Sequence, residues 1–138
     1  LGRQHGKLVI HMFLNAGARM LTICVSGQHI SCERVAGRLF RDIEVGATDF
    51  GIDEYNGDAK SVELGAGCWQ STFPARGSDI AALAAAAIPI VEEAIRRGRA
   101  SHGAAFVLRR RAVDCMAGSF VDGVPSTLIE VAWKKAYR

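Results

Sequence analysis

Proline and aromatic side chains are scarce in this chain, with 3 prolines and 7% Phe, Trp and Tyr together. The 15 glycines follow no three-residue period, so a collagen-like chain is excluded. No stretch approaches the ~18 uninterrupted apolar residues that a membrane-spanning helix needs, so no membrane association is expected. Cys24, Cys32, Cys68 and Cys115 form no C-x-x-C pair and no close pair of any kind. They read as reduced thiols and not as a disulfide framework or a zinc motif. The polar residues 1–7 and the short apolar stretch after them lack the pattern of a secretory signal, so a cytoplasmic location is expected. Also missing are a P-loop, G-x-G-x-x-G, H-E-x-x-H and G-x-S-x-G. Neither a cofactor nor a metal is therefore expected.

What is present is apolar mass. Of 138 residues, 49% are hydrophobic, which excludes a disordered chain and suits one domain over 1–138. The net charge of +3 is unevenly placed, with 7 basic against 8 acidic residues in 1–75 and 10 against 6 in 76–138. The basic excess comes from Arg96, Arg97 and Arg99, from Arg109, Arg110 and Arg111, and from Lys134, Lys135 and Arg138. Such clusters serve either as solvated faces or as contacts for anions and nucleic acid.

Lys7–Leu14 and Arg19–Ser26 are rich in strand formers and flank Asn15-Ala16-Gly17-Ala18, a turn sequence. A third element over Gln28–Val35 completes an antiparallel meander. Cys32, Val35, Leu39 and Ile43 also fit a helical spacing, against which Gly37 argues. If both turns contain two residues, Leu8, Ile10, Met12 and Leu14 share a face with Leu21, Ile23, Val25, Ile30 and Cys32, whereas a three-residue turn would mix the apolar and mixed sets. The opposite face, with Val9, His11, Phe13, Met20, Thr22, Cys24, His29, Ser31 and Glu33, is mixed, so a cover or a pocket is expected there.

Residues 38–46 extend this sheet, and Asn56-Gly57 predicts a type I′ hairpin between Phe50–Tyr55 and Asp58–Leu64, with Asp53 opposite Lys60. The acids Asp49, Asp53, Glu54 and Asp58 do not follow the order of a calcium loop. Ser78 or Asp79 caps a helix that ends at Gly98, about residues 79–97. It is apolar all round from Ile80 to Val91 and contains Pro89, so burial on several sides and a kink near Ile88 are expected. Ala104–Arg111 reads as a strand with Ala105, Val107, Arg109 and Arg111 on one side. Asp122-Gly123 joins strands Met116–Val121 and Val124–Tyr137, with Ile129, Val131 and Trp133 on one face. The expected fold is α+β: an antiparallel sheet built from the N-terminal meander and C-terminal hairpin strands, packed on one long alanine-rich helix.

The densest chemistry lies on the mixed face. The meander register sets Cys24 beside His29, with His11 a diagonal step away and Glu33 farther along. Imidazole and carboxylate near a thiol are the parts of a cysteine nucleophile, so His11, Cys24, His29 and Glu33 are the candidate catalytic set. The same thiol is equally at home as a buried small hydrophobe. Thr22, Ser31 and Trp69 are candidate ligand contacts, and Arg96, Arg97, Arg109 and Arg111 candidate anion or nucleic-acid contacts.

Three functions follow from these residues. The first is a non-enzymatic binding module for a small apolar ligand or a partner, able to pair with a second copy of itself as a homodimer. The second is a small cysteine/histidine-dependent or metal-assisted hydrolase or isomerase using the His11–Cys24–His29 face. The third, a nucleic-acid binder, is weakened because the arginines are not interleaved with aromatics.

Overall fold

A computed structural model describes residues 7–57, 77–113 and 126–138. Within them the order is β1 (Ile10–Leu14), β2 (Met20–Val25), α1 (Cys32–Glu44), α2 (Ile52–Asn56), α3 (Gly77–Arg97), β3 (Gly103–Val113) and β4 (Ser126–Tyr137). The strands form one antiparallel sheet in the order β1-β2-β3-β4, so the protein has the α+β class expected of its sequence.

The first hairpin has a longer turn than the two residues expected, spanning residues 15–20, but the parity is the same. Ile10 pairs with Val25, Met12 with Ile23 and Leu14 with Leu21, so the apolar set shares one face. The connection is a short 3-10 turn over Ala16–Ala18, with Gly17 at φ 79° and Ala18 at φ 48°. Asn15 holds it together: its Oδ1 accepts from the amides of Arg19 (2.9 Å) and Met20 (2.8 Å), and its Nδ2 donates to the Tyr55 carbonyl at 3.1 Å. One amide side chain thus fixes the turn and ties it to α2.

The third meander strand is corrected to a helix. Gln28 and His29 lie in a bend, and Ser31, in extended geometry, caps α1 by accepting from the Arg34 amide. The buried residues of α1 are Cys32, Val35, Leu39 and Ile43, the helical spacing present in the sequence. Gly37 does not break the helix because it lies on the exposed side, where a Cβ would meet nothing within 4 Å. Residues 38–44 likewise continue α1 instead of extending the sheet. The strand and hairpin expected from Phe50 to Gly57 are also corrected. Asp53 and Tyr55 belong to α2, and Gly57, at φ 74°, ends it by donating to the carbonyls of Asp53 and Glu54. Asn-Gly signalled a positive φ correctly, but it served a helix end. Lys60 and the rest of that predicted hairpin lie outside the described residues, as do Trp69, Cys68, Cys115 and the segment 114–125.

Helices cover both faces of the sheet. Met20, Cys24, Ala105, Val107 and Tyr137 pack against α1 together with Phe50 and Tyr55. Leu21, Ile23, Val25 and Leu108 pack against Leu83 and Ala87 of α3. Every residue of β2 is buried, which is why its sequence Met-Leu-Thr-Ile-Cys-Val shows no apolar–polar alternation. The mixed face is therefore covered by α1 over β2, while His11 and Phe13 of β1 stay exposed.

β4 pairs with β3, and a bulge interrupts it. Val107 pairs with Trp133 and Leu108 with Val131, so Ala132 is the extra residue. Trp133 consequently turns to the α1 side, away from Ile129, which packs on the α3 side. The expected common face of Ile129, Val131 and Trp133 is corrected by that one insertion.

The α3 helix runs unbroken through Pro89 from Gly77 to Arg97. Only Asp79, Leu83 and Ala87 are fully buried, while Ile88 is 54% and Ile95 62% exposed. Within the described residues the helix keeps an exposed apolar stripe through Ala81, Ala84, Ala85, Ile88 and Ile95, where burial on every side was expected.

Candidate functional site

The sheet brings His11 directly opposite Cys24, closer than the diagonal placement expected, and leaves His29 off the sheet in the exposed bend before α1. Cys24 is fully buried beneath α1, and burial, reinforced by neighbouring Cys32, pushes its thiol pKa up to about 12. Cys32 is raised too, chiefly by burial, and its Sγ lies 3.1 Å from the Val9 carbonyl and 3.3 Å from that of Cys24. Both thiols are held protonated, the reverse of what a nucleophile requires. Glu33 sits exposed in the first turn of α1, its carboxyl held below its usual range chiefly by a backbone amide there. Thr22 is sealed in the core by a 2.8 Å hydrogen bond with the Tyr55 hydroxyl. Ser31 is occupied as the cap of α1. Among the described residues no group of His, Cys, Asp or Glu is arranged to hold a metal ion.

The thiol geometry has a direct consequence. Cys24 should react with iodoacetamide at neutral pH on the order of a thousandfold or more slower than a free thiol, because labelling needs an opening of the fold. Residue-resolved mass spectrometry over time checks this; labelling at the free-thiol rate would return Cys24 to the candidate nucleophiles.

The arginines separate into two groups, one around Arg109–Arg111 and one at the end of α3. Arg109 lies on the α1 side within a carboxylate nest, 2.7 Å from Glu130, 3.3 Å from Glu54 and 3.6 Å from Asp49. Arg111 is 3.7 Å from Glu130, and Arg110, on the α3 side, is 3.5 Å from Asp79. A polar cavity of about 690 Å³ runs between Arg19, these three arginines, Asp53 and Glu54, so its lining carries more guanidiniums than carboxylates. Arg96 and Arg97, by contrast, stand at the end of α3 and share Glu93 at 2.5 and 2.8 Å. Their hydrogen bonds pull the Glu93 carboxyl down to about 2, so it stays ionised.

The apolar concavity lies beneath the second half of α3. It measures about 410 Å³, with Pro89, Ile90 and Ala94 of α3 on one wall and Val25, Ala104 and Phe106 of the sheet on the other. Ser26, Glu93, Arg97 and His102 supply its polar groups. The opening exists because small residues stand where the helix passes the sheet: Ala94, Gly98, Ala100, Gly103, Ala104 and Ala136 all line it. Ala87 and Leu83 fill the equivalent space about two and three turns before Ala94. His102 is held by its neighbours, with Arg138 Nε donating to its Nε2 at 3.1 Å and Ser101 Oγ 3.0 Å from its Nδ1. Ser26 is buried and its Oγ accepts from the Val9 amide at 2.9 Å.

Arg97 was legible in the sequence as a basic residue and Pro89 as an irregularity of the helix. Their meeting with Phe106 across a gap was not, although the concentration of Ala and Gly over residues 94–105 was its available signal. No helix among the described residues is long and apolar enough to cross a membrane. Compared with protein-family models, curated proteins and solved structures, the chain matches none.

Proposed function

We propose that the protein is a non-enzymatic binding module that takes a small apolar ligand into the cleft between α3 and the sheet. The observation that carries this is the cleft itself: about 410 Å³ of mainly apolar space with polar groups gathered at Ser26, Glu93, Arg97 and His102. Ligand sites commonly have this size and this division of labour, with apolar walls supplying affinity and a few polar groups fixing orientation. The alternative cysteine-histidine enzyme has less support, since Cys24 is buried and His29 stands off the sheet.

The neutral fluorophore N-phenylnaphthylamine is a suitable probe. Its emission should rise on mixing and saturate at one dye per chain, and Ala94→Trp, which fills the gap, should abolish the rise while leaving the melting temperature close to that of the parent. Equal binding by parent and Ala94→Trp would place the dye elsewhere and remove the proposal.

Self-association is a separate part of this reading and rests on the exposed stripe through Ile88 and Ile95 of α3. Light scattering across a wide concentration range should show the mass rising toward that of a dimer. A constant monomer mass sets this part aside without touching the cleft.

A further inference from the structure

The two ends of the cleft differ in chemistry. Pro89, Ile90 and Phe106 make one end, and Arg97, His102 and Ser26 the other. From Pro89 to Arg97 the helix rises about 12 Å, so the gradient runs along a length that a medium acyl chain spans. The polar end carries excess positive charge. One carboxylate, Glu93, serves both Arg96 and Arg97, and the Arg138 guanidinium reaches the same rim through His102. Arg99 donates to the backbone carbonyls of Gly27 and Gln28 beside it. The end of α3 adds a fractional negative charge of about half a unit, which these guanidiniums outweigh. Arg97 engages Glu93 through Nε, while its side chain is 69% exposed at the rim of the cleft. The Ser26 hydroxyl accepts one hydrogen bond, from Val9, and keeps its own proton for a ligand.

We propose that the ligand is a medium-chain amphiphile with an anionic head, a monocarboxylic acid in chemical class, its chain lying between Pro89 and Phe106 and its carboxylate at Arg97 and the Ser26 hydroxyl. This rests on the ligand-binding reading of the cleft and adds the head group to it. The apolar walls accept any chain of suitable length; the guanidinium end selects the charge, because charge-assisted hydrogen bonds to a carboxylate are stronger than those to a neutral hydroxyl.

Calorimetric titration with decanoate, decanol and decyltrimethylammonium, each below its aggregation threshold, tests this. Decanoate should bind roughly tenfold more tightly than decanol, the worth of one charge-assisted hydrogen bond, and the ammonium more weakly than either. Arg97→Gln, on an exposed side chain, should bring decanoate down to the affinity of decanol and leave decanol unchanged. Ala94→Trp should remove all three. Decanol binding as tightly as decanoate to the parent, or no change in decanoate on Arg97→Gln, overturns the anionic head while the cleft remains a ligand site. Failure of all three to bind the parent overturns the cleft reading along with it.

Discussion

Gly27→Ala should cost about 3 kcal/mol of stability, near the upper end of what overpacking usually costs. A Cβ at Gly27 would stand 2.5 Å from the Gly103 nitrogen, 2.5 Å from the His102 carbonyl carbon and 2.8 Å from the His102 oxygen. All three are backbone atoms, so no side chain can swing aside, and the β2–α1 connection must lift off the start of β3. That connection also carries Ser26, so ligand uptake by the cleft should fall with it. Gly37→Ala is the matched control. It makes the same chemical change on the open side of α1, where helix propensity governs, and should add about 0.5–1 kcal/mol. Urea unfolding of the two variants should therefore move in opposite directions. If Gly27→Ala unfolds at the parent's midpoint, the close approach of these two backbones is refuted.

Leu83→Ala should cost about 2–5 kcal/mol, the range for removing a fully buried leucine. Leu83 has no exposed surface and stands with Ala87 as the buried contact of α3 on Leu21, Ile23, Val25 and Leu108. Against a typical total of roughly 5–15 kcal/mol, that is a large share of stability, and Ala87 is too small to take over the contact. Ile95→Ala on the same helix is the comparison: its side chain is 62% exposed, so in the isolated chain its loss should stay within about 0.5 kcal/mol. Thermal unfolding followed by circular dichroism separates the two. An Ile95→Ala penalty as large as that of Leu83→Ala would contradict the exposure of the stripe, and a penalty that grows with protein concentration would signal a second copy covering it.

The readable parts of the sequence were those governed by short-range periodicity. Leu8, Ile10 and Leu14 lie with Leu21, Ile23 and Val25 on the α3 side because side chains alternate with period two and the turn has even length. The alternation of Ala105, Val107 and Arg109 against Phe106 and Leu108 held for the same reason. The long helix was visible in its alanine run and in Gly98. Cys32, Val35, Leu39 and Ile43 show helical spacing, and the one glycine between them does not break it: Gly37 faces solvent, where its cost is modest. Asn56-Gly57 is a different case. Its glycine takes the positive φ that the pair promised, yet a left-handed residue ends a helix as readily as it turns a hairpin.

The candidate site was less legible, and the reason is burial. Cys24 and His11 do face the same way, as alternation required, and the register sets them opposite one another instead of a diagonal step apart. Whether that neighbourhood reacts depends on what lies above it, and α1 lies there, taking water away and raising the thiol's pKa. His29 left the set when its segment became the approach to a helix. By itself the sequence determined the strand parity, the apolar faces and the extent of the long helix, since each follows from local repeat lengths. Only the tertiary structure decided which face was sealed and where space remained. A cleft is the volume left between elements distant in the chain, and small residues at Ala94 and Ala104 become a site only when the fold sets them across from Phe106 and beside Arg97.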